Sequence, residues 1–338
     1  MNPANPAGAT PPPPLLRAER LSVRFRLRDS IVQAVTDASF ELRPGRLLTL
    51  VGESGCGKSV LAAALLGLLP GNAEIRGAVR LDTPDGPLEL TTAPERTLAR
   101  RVRGRKVALV PQSAATALTP VRTVRAQLTE TLRALRPDVD DRDREADRLA
   151  ETVGLAPAAL DRYPHELSGG MAQRAVLTLA LAGDPDVILA DEPTSGLDRP
   201  LVDHTMDALR ALADDGRAIL LITHDIAAAE RAATDLAVMY ASRIVEQGPA
   251  GDMFADPLHP YTRALLDATP GRGFRPLPGH PPNLSALPSG CAFRARCPER
   301  ETCTDDPALA PVTPRRSLAC ARPRVPAARA EEPAEDAC

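Results

Sequence analysis

Gly52-Glu53-Ser54-Gly55-Cys56-Gly57-Lys58-Ser59 is the stretch on which the reading of this chain turns. It fits G-x-x-x-x-G-K-[ST], with an apolar run at 47–51 that reads as a buried strand before it and a helical run from Ser59 after it, the context this motif requires. The glycines let the backbone curl until successive N–H groups face inward around an anion. The helix N-terminus adds a dipole that favours phosphate. Lys58 supplies a point charge for β- and γ-phosphates, and the Ser59 hydroxyl is a ligand for Mg²⁺. Cys56 reads as a small residue facing away from the nucleotide, with a redox thiol as the rival reading. The candidate nucleotide contacts are therefore Gly52, Glu53, Ser54, Gly55, Cys56, Gly57, Lys58, Ser59 and Val60.

Moving outward, short apolar runs at 47–51, 106–110, 187–190, 218–222 and 236–239 read as buried strands, and helical stretches such as 59–69 and 201–213 follow several of them. Strands followed by helices imply an α/β architecture, a parallel sheet covered on both faces. Between 123 and 182 the strand signal gives way to helical periodicity, read as a helical subdomain at about 120–182 inserted into the core. The run at 187–190 ends in Asp191-Glu192. A strand ending in Asp delivers that carboxylate to the sheet edge beside the phosphates, where Asp191 holds Mg²⁺ and Glu192 acts as general base toward the attacking water. Leu167-Ser168-Gly169-Gly170-Met171-Ala172-Gln173-Arg174 opens a helix at 172–182, a second phosphate-binding N-terminus.

This last motif strongly resembles the signature of ABC ATPases, and the resemblance covers roughly residues 15–250 on a P-loop NTPase core. It implies that Ser168, Gly169 and Gly170 of one subunit cap the ATP held by the phosphate loop of another. It also implies that Gln112 contacts Mg²⁺ and water, that Asp198 in Ser195-Gly196-Leu197-Asp198 crosses the dimer interface, and that His224 contacts the γ-phosphate. Phe25, in Leu-Ser-Val-Arg-Phe, matches the aromatic that stacks on adenine, with a core Phe as the other reading.

His259-Pro260-Tyr261-Thr262-Arg263-Ala264-Leu265-Leu266, a Pro-rich stretch and Gly290-Cys291-Ala292-Phe293-Arg294-Ala295-Arg296-Cys297-Pro298 resemble the C-terminal extension of oligopeptide/dipeptide importer ATPases, a branch that also serves nickel and other small solutes. Where the branch usually has Asp-Pro after the glutamine this chain has Ser113-Ala114, and Ala172 and Gly196 replace a basic residue and an alanine; no catalytic group is lost. Cys291, Cys297, Cys303 and Cys320 are separated by 5, 5 and 16 residues, without the paired knuckles of zinc ribbons. Four thiolates in this spacing suit a structural [4Fe–4S] cluster, which relatives with this extension are reported to bind; zinc or unligated thiols are the alternatives.

The organisation so read is a Pro-rich tail at 1–14, an ABC ATPase domain at 15–250, a small Cys-containing extension at 251–320 and a tail at 321–338. A net charge of −3 gives no electrostatic case for a nucleic-acid or anionic-membrane partner. The longest early apolar run, 60–69, falls short of the about 20 residues a spanning helix needs, and residues 1–14 lack the pattern of a secretory signal. The expectation is a peripheral ATPase on the cytoplasmic face of the cell (inner) membrane, touching the membrane only through permeases. Its partners by resemblance are a second, distinct ABC ATPase in a heterodimer, two transmembrane permeases and an extracytoplasmic solute-binding protein. The rival is a soluble ABC ATPase of the DNA-repair or translation type.

Overall fold

A computed structural model describes residues 12–300 and 306–321; residues 1–11 and 322–338, which make up most of the expected tails at 1–14 and 321–338, and Cys303 lie outside these residues. In chain order the strands are β1 (Leu16–Arg26), β2 (Ile31–Leu42), β3 (Leu47–Val51), β4 (Ala73–Leu81), β5 (Leu88–Glu89) and β6 (Val107–Val110). They continue with β7 (Val187–Asp191), β8 (Ala218–Ile222), β9 (Asp235–Tyr240), β10 (Arg243–Pro249), β11 (Ala310–Thr313) and β12 (Arg316–Leu318). The main sheet runs β11-β12-β10-β9-β3-β8-β7-β6, with a parallel centre from β9 to β6 and an antiparallel edge from β10 to β11. A second, antiparallel sheet runs β2-β1-β4-β5.

Apart from the buried Thr49 of β3 and the terminal Asp191 of β7 and Asp235 of β9, the central strands are apolar because both faces of the parallel sheet are covered. Their period of two sorts side chains between two cores. Leu48, Leu50, Val187, Leu189, Leu220 and Ile222 face one core, shared with Leu16, Leu21 and Val23 of β1 and with Leu61 and Leu65 of the helix Lys58–Leu65. Ile188, Ala190, Ile219 and Leu221 face the other, packed with Leu128, Leu149 and Leu177. The helices Val124–Leu135, Arg142–Thr152 and Gly169–Leu181 supply those residues. Each begins at a side-chain cap: Thr123 accepts from the Ala126 N–H, Asp141 from Arg144 and Ser168 from Met171, each cap worth about 1 kcal/mol. The helix after the phosphate loop ends earlier than its apolar run, because Gly67 takes a left-handed turn at φ 61°.

The antiparallel sheet is the element the apolar-run reading passed over. In β1 the buried Leu16, Ala18, Leu21 and Val23 alternate with Arg17, Arg20 and Arg24, so no continuous apolar run exists to find.

The described residues beyond β10 pack onto the sheet. β12 pairs with β10, and Tyr261, Leu266 and Phe293 join Val51, Val238 and Tyr240 in a third core. Glu246 of β10, fully buried, anchors this junction. Its carboxylate accepts N–H bonds from Leu258 and His259 at 3.0 Å and pairs with Arg316 at 2.5 Å. His259 caps the helix Pro260–Asp267 through Nδ1, which accepts the Tyr261 N–H at 3.0 Å. No helix among the described residues is long and apolar enough to cross a membrane.

Burial depresses the His259 imidazole to about pH 4, outweighing a backbone hydrogen bond at Ala319. The folded residue stays neutral while the unfolded one protonates below about 6.5, so the unfolded chain binds more protons in that window and stability falls as pH drops through it. Between pH 7 and pH 5 this residue should lower the unfolding free energy by about 2 kcal/mol. Denaturant titrations at the two pH values check this: His259→Asn, which keeps a capping acceptor, should flatten the pH dependence by that amount.

Candidate active site

The phosphate loop leaves β3 and is pressed against neighbouring backbone. A Cβ on Gly52 would stand 2.1 Å from the Met239 carbonyl oxygen, and one on Gly57, at φ 109°, would stand 1.9 Å from that of Ala34. No side chain fits at either place. Lys58, 6% exposed, donates from Nζ to the Gly52 and Glu53 carbonyls at 2.8 and 3.0 Å, which places its ammonium within the curl of the loop. Cys56 is buried in the first core, and burial pushes its thiol pKa up despite Lys58 nearby. A thiol so held is unreactive, in line with a packing residue. Val60 is half-buried against the same core.

Asp191 ends β7, and its Oδ1 accepts the Ser59 hydroxyl at 3.1 Å. Burial raises the Asp191 pKa; the Ser59 bond opposes that shift and the charge of Glu192 adds to it. Glu192 follows in a left-handed conformation, φ 46°, with its N–H bound to the Ile222 carbonyl at 2.8 Å. A non-glycine residue there is strained by about 1–3 kcal/mol, and such strain clusters at functional sites. The turn aims the carboxylate between two partners. Gln112 Nε2 donates to one oxygen at 2.9 Å, and His224 Nδ1 lies 3.2 Å from the other. Gln112, Ser59 and His224 are exposed, so the cluster opens to the surface. Residues from after β3, β6, β7 and β8 thus meet at the carboxyl ends of the parallel strands, where ligands bind in open α/β sheets.

The structure does not bring every expected residue to this point. Ser168, Gly169 and Gly170 open the helix Gly169–Leu181, with Ser168 occupied as its cap. Asp198 caps the helix Arg199–Asp214 through the Leu201 N–H. Phe25 sits on β1, half-buried against the first core and paired with Val32 and Ala73.

Cys291, Cys297 and Cys320 line one pocket with His259 and Phe293. Among the described residues, however, no three His, Cys, Asp or Glu side chains stand close enough together to hold a metal ion. The expected iron–sulfur ligand set is therefore not assembled by the three described cysteines. His259 is committed elsewhere as a helix cap, and Cys303 lies outside the described residues.

Contacts that sequence reasoning missed reach the loop from the C-terminal stretch. Tyr261 Oη accepts the Glu53 N–H at 3.0 Å, and Arg296 donates to both Glu53 carboxylate oxygens. Both residues lie in the segments quoted above for the importer branch, but nothing local in either segment points to position 53.

Comparison with known proteins points to one family. The family described as ABC transporter matches residues 35–195, and the oligopeptide/dipeptide transporter C-terminal region matches residues 245–303. The chain is 40% identical over 322 residues to the oligopeptide transport ATP-binding protein OppD of Mycobacterium bovis, an alignment covering 91% of this chain and 52% of that protein. It thus spans about half the length of that relative and of its Mycobacterium tuberculosis counterpart. The protein of the same name from Escherichia coli K12 is 38% identical over 320 residues, 91% of this chain and 93% of the relative. Among solved structures, a dimeric ATP-binding cassette in a post-hydrolysis state bound to ADP and Pi matches with a TM-score of 0.61 at 22% identity, covering 70% of this chain and 98% of that one, a likeness of fold. The chain belongs to the ABC transporter family, in the branch of oligopeptide/dipeptide transport ATP-binding proteins.

Proposed function

We propose that this chain is the ATP-binding and ATP-hydrolysing subunit that energises an importer of oligopeptides, dipeptides or related small solutes. The observation that carries the reading is the convergence of Gln112, Glu192 and His224 beside the Ser59–Asp191 pair at a phosphate loop with Lys58 in its curl. Lys58 and the loop N–H groups receive the β- and γ-phosphates. Ser59, Asp191 and Gln112 offer hard oxygen donors of the kind Mg²⁺ takes, and the ion when bound neutralises phosphate charge. Glu192 accepts the proton of the attacking water. Gln112 and His224 hold its carboxylate in line, and His224 reaches on toward the γ-phosphate.

In this reading Phe25 stacks on adenine. Ser168, Gly169, Gly170 and Asp198, of which Ser168 and Asp198 each cap a helix within the chain, act across a head-to-tail dimer with a similar but distinct ATPase. Two permeases and an extracytoplasmic solute-binding protein complete the assembly, with this subunit peripheral at the cytoplasmic face of the inner membrane. The names of the relatives and the match at 245–303 support transport and weigh against a soluble repair or translation ATPase.

We also carry the four-cysteine cluster as a proposal, supported by the pocket that Cys291, Cys297 and Cys320 share. Protein purified without oxygen should contain about four irons and four sulfides per chain, or about one zinc if zinc is the occupant. Neither metal in stoichiometric amount would overturn the cluster.

For the ATPase itself, Glu192→Gln should lower phosphate release about 100-fold or more while retaining ATP binding, the range a general base contributes. Lys58→Ala should lose nucleotide binding itself. Unimpaired hydrolysis in Glu192→Gln would remove that residue as the base.

A further inference from the structure

The start of the phosphate loop is held from a part of the chain distant in sequence. Arg296, on the short turn between Cys291 and Cys297, donates from Nη1 and Nη2 to the two carboxylate oxygens of Glu53 at 2.6 and 3.0 Å. The arginine side chain is 4% exposed and that of Glu53 25%, so the pair is shielded from water. A two-pronged guanidinium–carboxylate contact is directional as well as strong. The guanidinium is fixed on its other sides too. Nε donates to the Pro278 carbonyl at 2.7 Å, Nη1 also donates to the Tyr240 hydroxyl at 3.3 Å, and the group lies 5.7 and 5.9 Å from the ring centres of Tyr240 and Phe293.

Tyr261 supplies the second hold, because its hydroxyl oxygen accepts the Glu53 N–H at 3.0 Å. The chain has only three tyrosines, five phenylalanines and no tryptophan. Three of these eight, Tyr240, Tyr261 and Phe293, meet at this one junction with ring centres 4.5–5.4 Å apart.

Two consequences follow for an anion on the loop. Glu53 places a negative charge at the entrance of a phosphate cradle, and Arg296 neutralises it. The Glu53 carbonyl also accepts from Lys58 Nζ and from the Cys56 N–H, so fixing Glu53 on both its amide and its carboxylate fixes the surface on which Lys58 rests. We propose that Arg296 and Tyr261 are positioning residues for the nucleotide: the C-terminal stretch neutralises Glu53 and clamps the phosphate loop in its anion-receiving curl. This rests on the reading of the loop as the ATP site.

The test is titration of the purified full chain with the fluorescent analogue trinitrophenyl-ATP, with Tm measured alongside. Tyr261→Phe should weaken binding about fivefold, equivalent to about 1 kcal/mol, the worth of one hydrogen bond. Arg296→Met should weaken it about tenfold or more, and Arg296→Lys, which keeps the charge and loses the fork, should fall between parent and Arg296→Met. Adding Glu53→Gln to Arg296→Met should recover much of the loss, because the unpaired charge is gone. A residue that only stabilises the fold would lower Tm and show no such recovery. Affinities within about twofold of the parent in both Tyr261→Phe and Arg296→Met, whatever their Tm, overturn the proposal. Should Arg296→Met not fold, Tyr261→Phe decides, since it removes one oxygen and keeps the ring. Lys58→Ala separates the two levels. A parent that binds the analogue no better than Lys58→Ala removes the nucleotide reading itself. Binding lost in Lys58→Ala yet unchanged in the Arg296 and Tyr261 variants removes only the clamp.

Discussion

Two glycines pressed against carbonyl groups, Gly52 under Met239 and Gly57 under Ala34, are the constraint from which the rest of the site follows. They let the chain turn out of β3 tightly enough that Lys58 folds back on the loop it has just left. Ser59, one residue on, then reaches Asp191 at the end of β7. The loop is thus defined by what surrounds it as much as by its own eight residues: β9 below, β2 beside it, and the C-terminal stretch at its mouth. A side chain at either glycine would push on backbone, which cannot move without disturbing a buried strand.

The parallel sheet explains why distant residues meet. Each strand from β9 to β6 delivers its following residue to the same edge, so Gln112, Asp191, Glu192 and His224 need only short reaches to share one centre. The alternating faces of these strands separate an inner core behind the antiparallel sheet from a second core under the helices. Gln112 sits just past the end of β6, ahead of the helices Ala114–Ala117 and Val124–Leu135. The left-handed backbone of Glu192 is the local cost of aiming one carboxylate between Gln112 and His224.

Much of this was legible in the sequence because it is local. β3, β7 and β8 are nearly continuous apolar runs, broken only by Thr49 in β3 and ended by Asp191 in β7, and their flanking motifs name Lys58, Ser59, Asp191 and Glu192 directly. β1 and β2 were harder, since half-buried alternation interrupted by arginines in β1 and by Gln33, Asp37 and Glu41 in β2 looks polar when read as a run. The edge formed by β10, β11 and β12 depends on pairing across some seventy residues, as between Glu246 and Leu318, which no spacing rule reveals. The same holds for Arg296, which lies between Cys291 and Cys297 in sequence and whose partner is Glu53. The cysteine spacing suggested a ligand set; the fold brings Cys291, Cys297 and Cys320 to one pocket without assembling that set among the described residues.

We propose that this cassette converts ATP turnover into solute import through membrane partners. Tagging the chain in its native cell, solubilising the membranes gently and identifying the co-purifying proteins by mass spectrometry tests that claim most directly. Two permeases, a second, distinct ATPase and a solute-binding protein are expected in the same complex. Recovery of soluble partners alone, with no permease, would contradict the proposal.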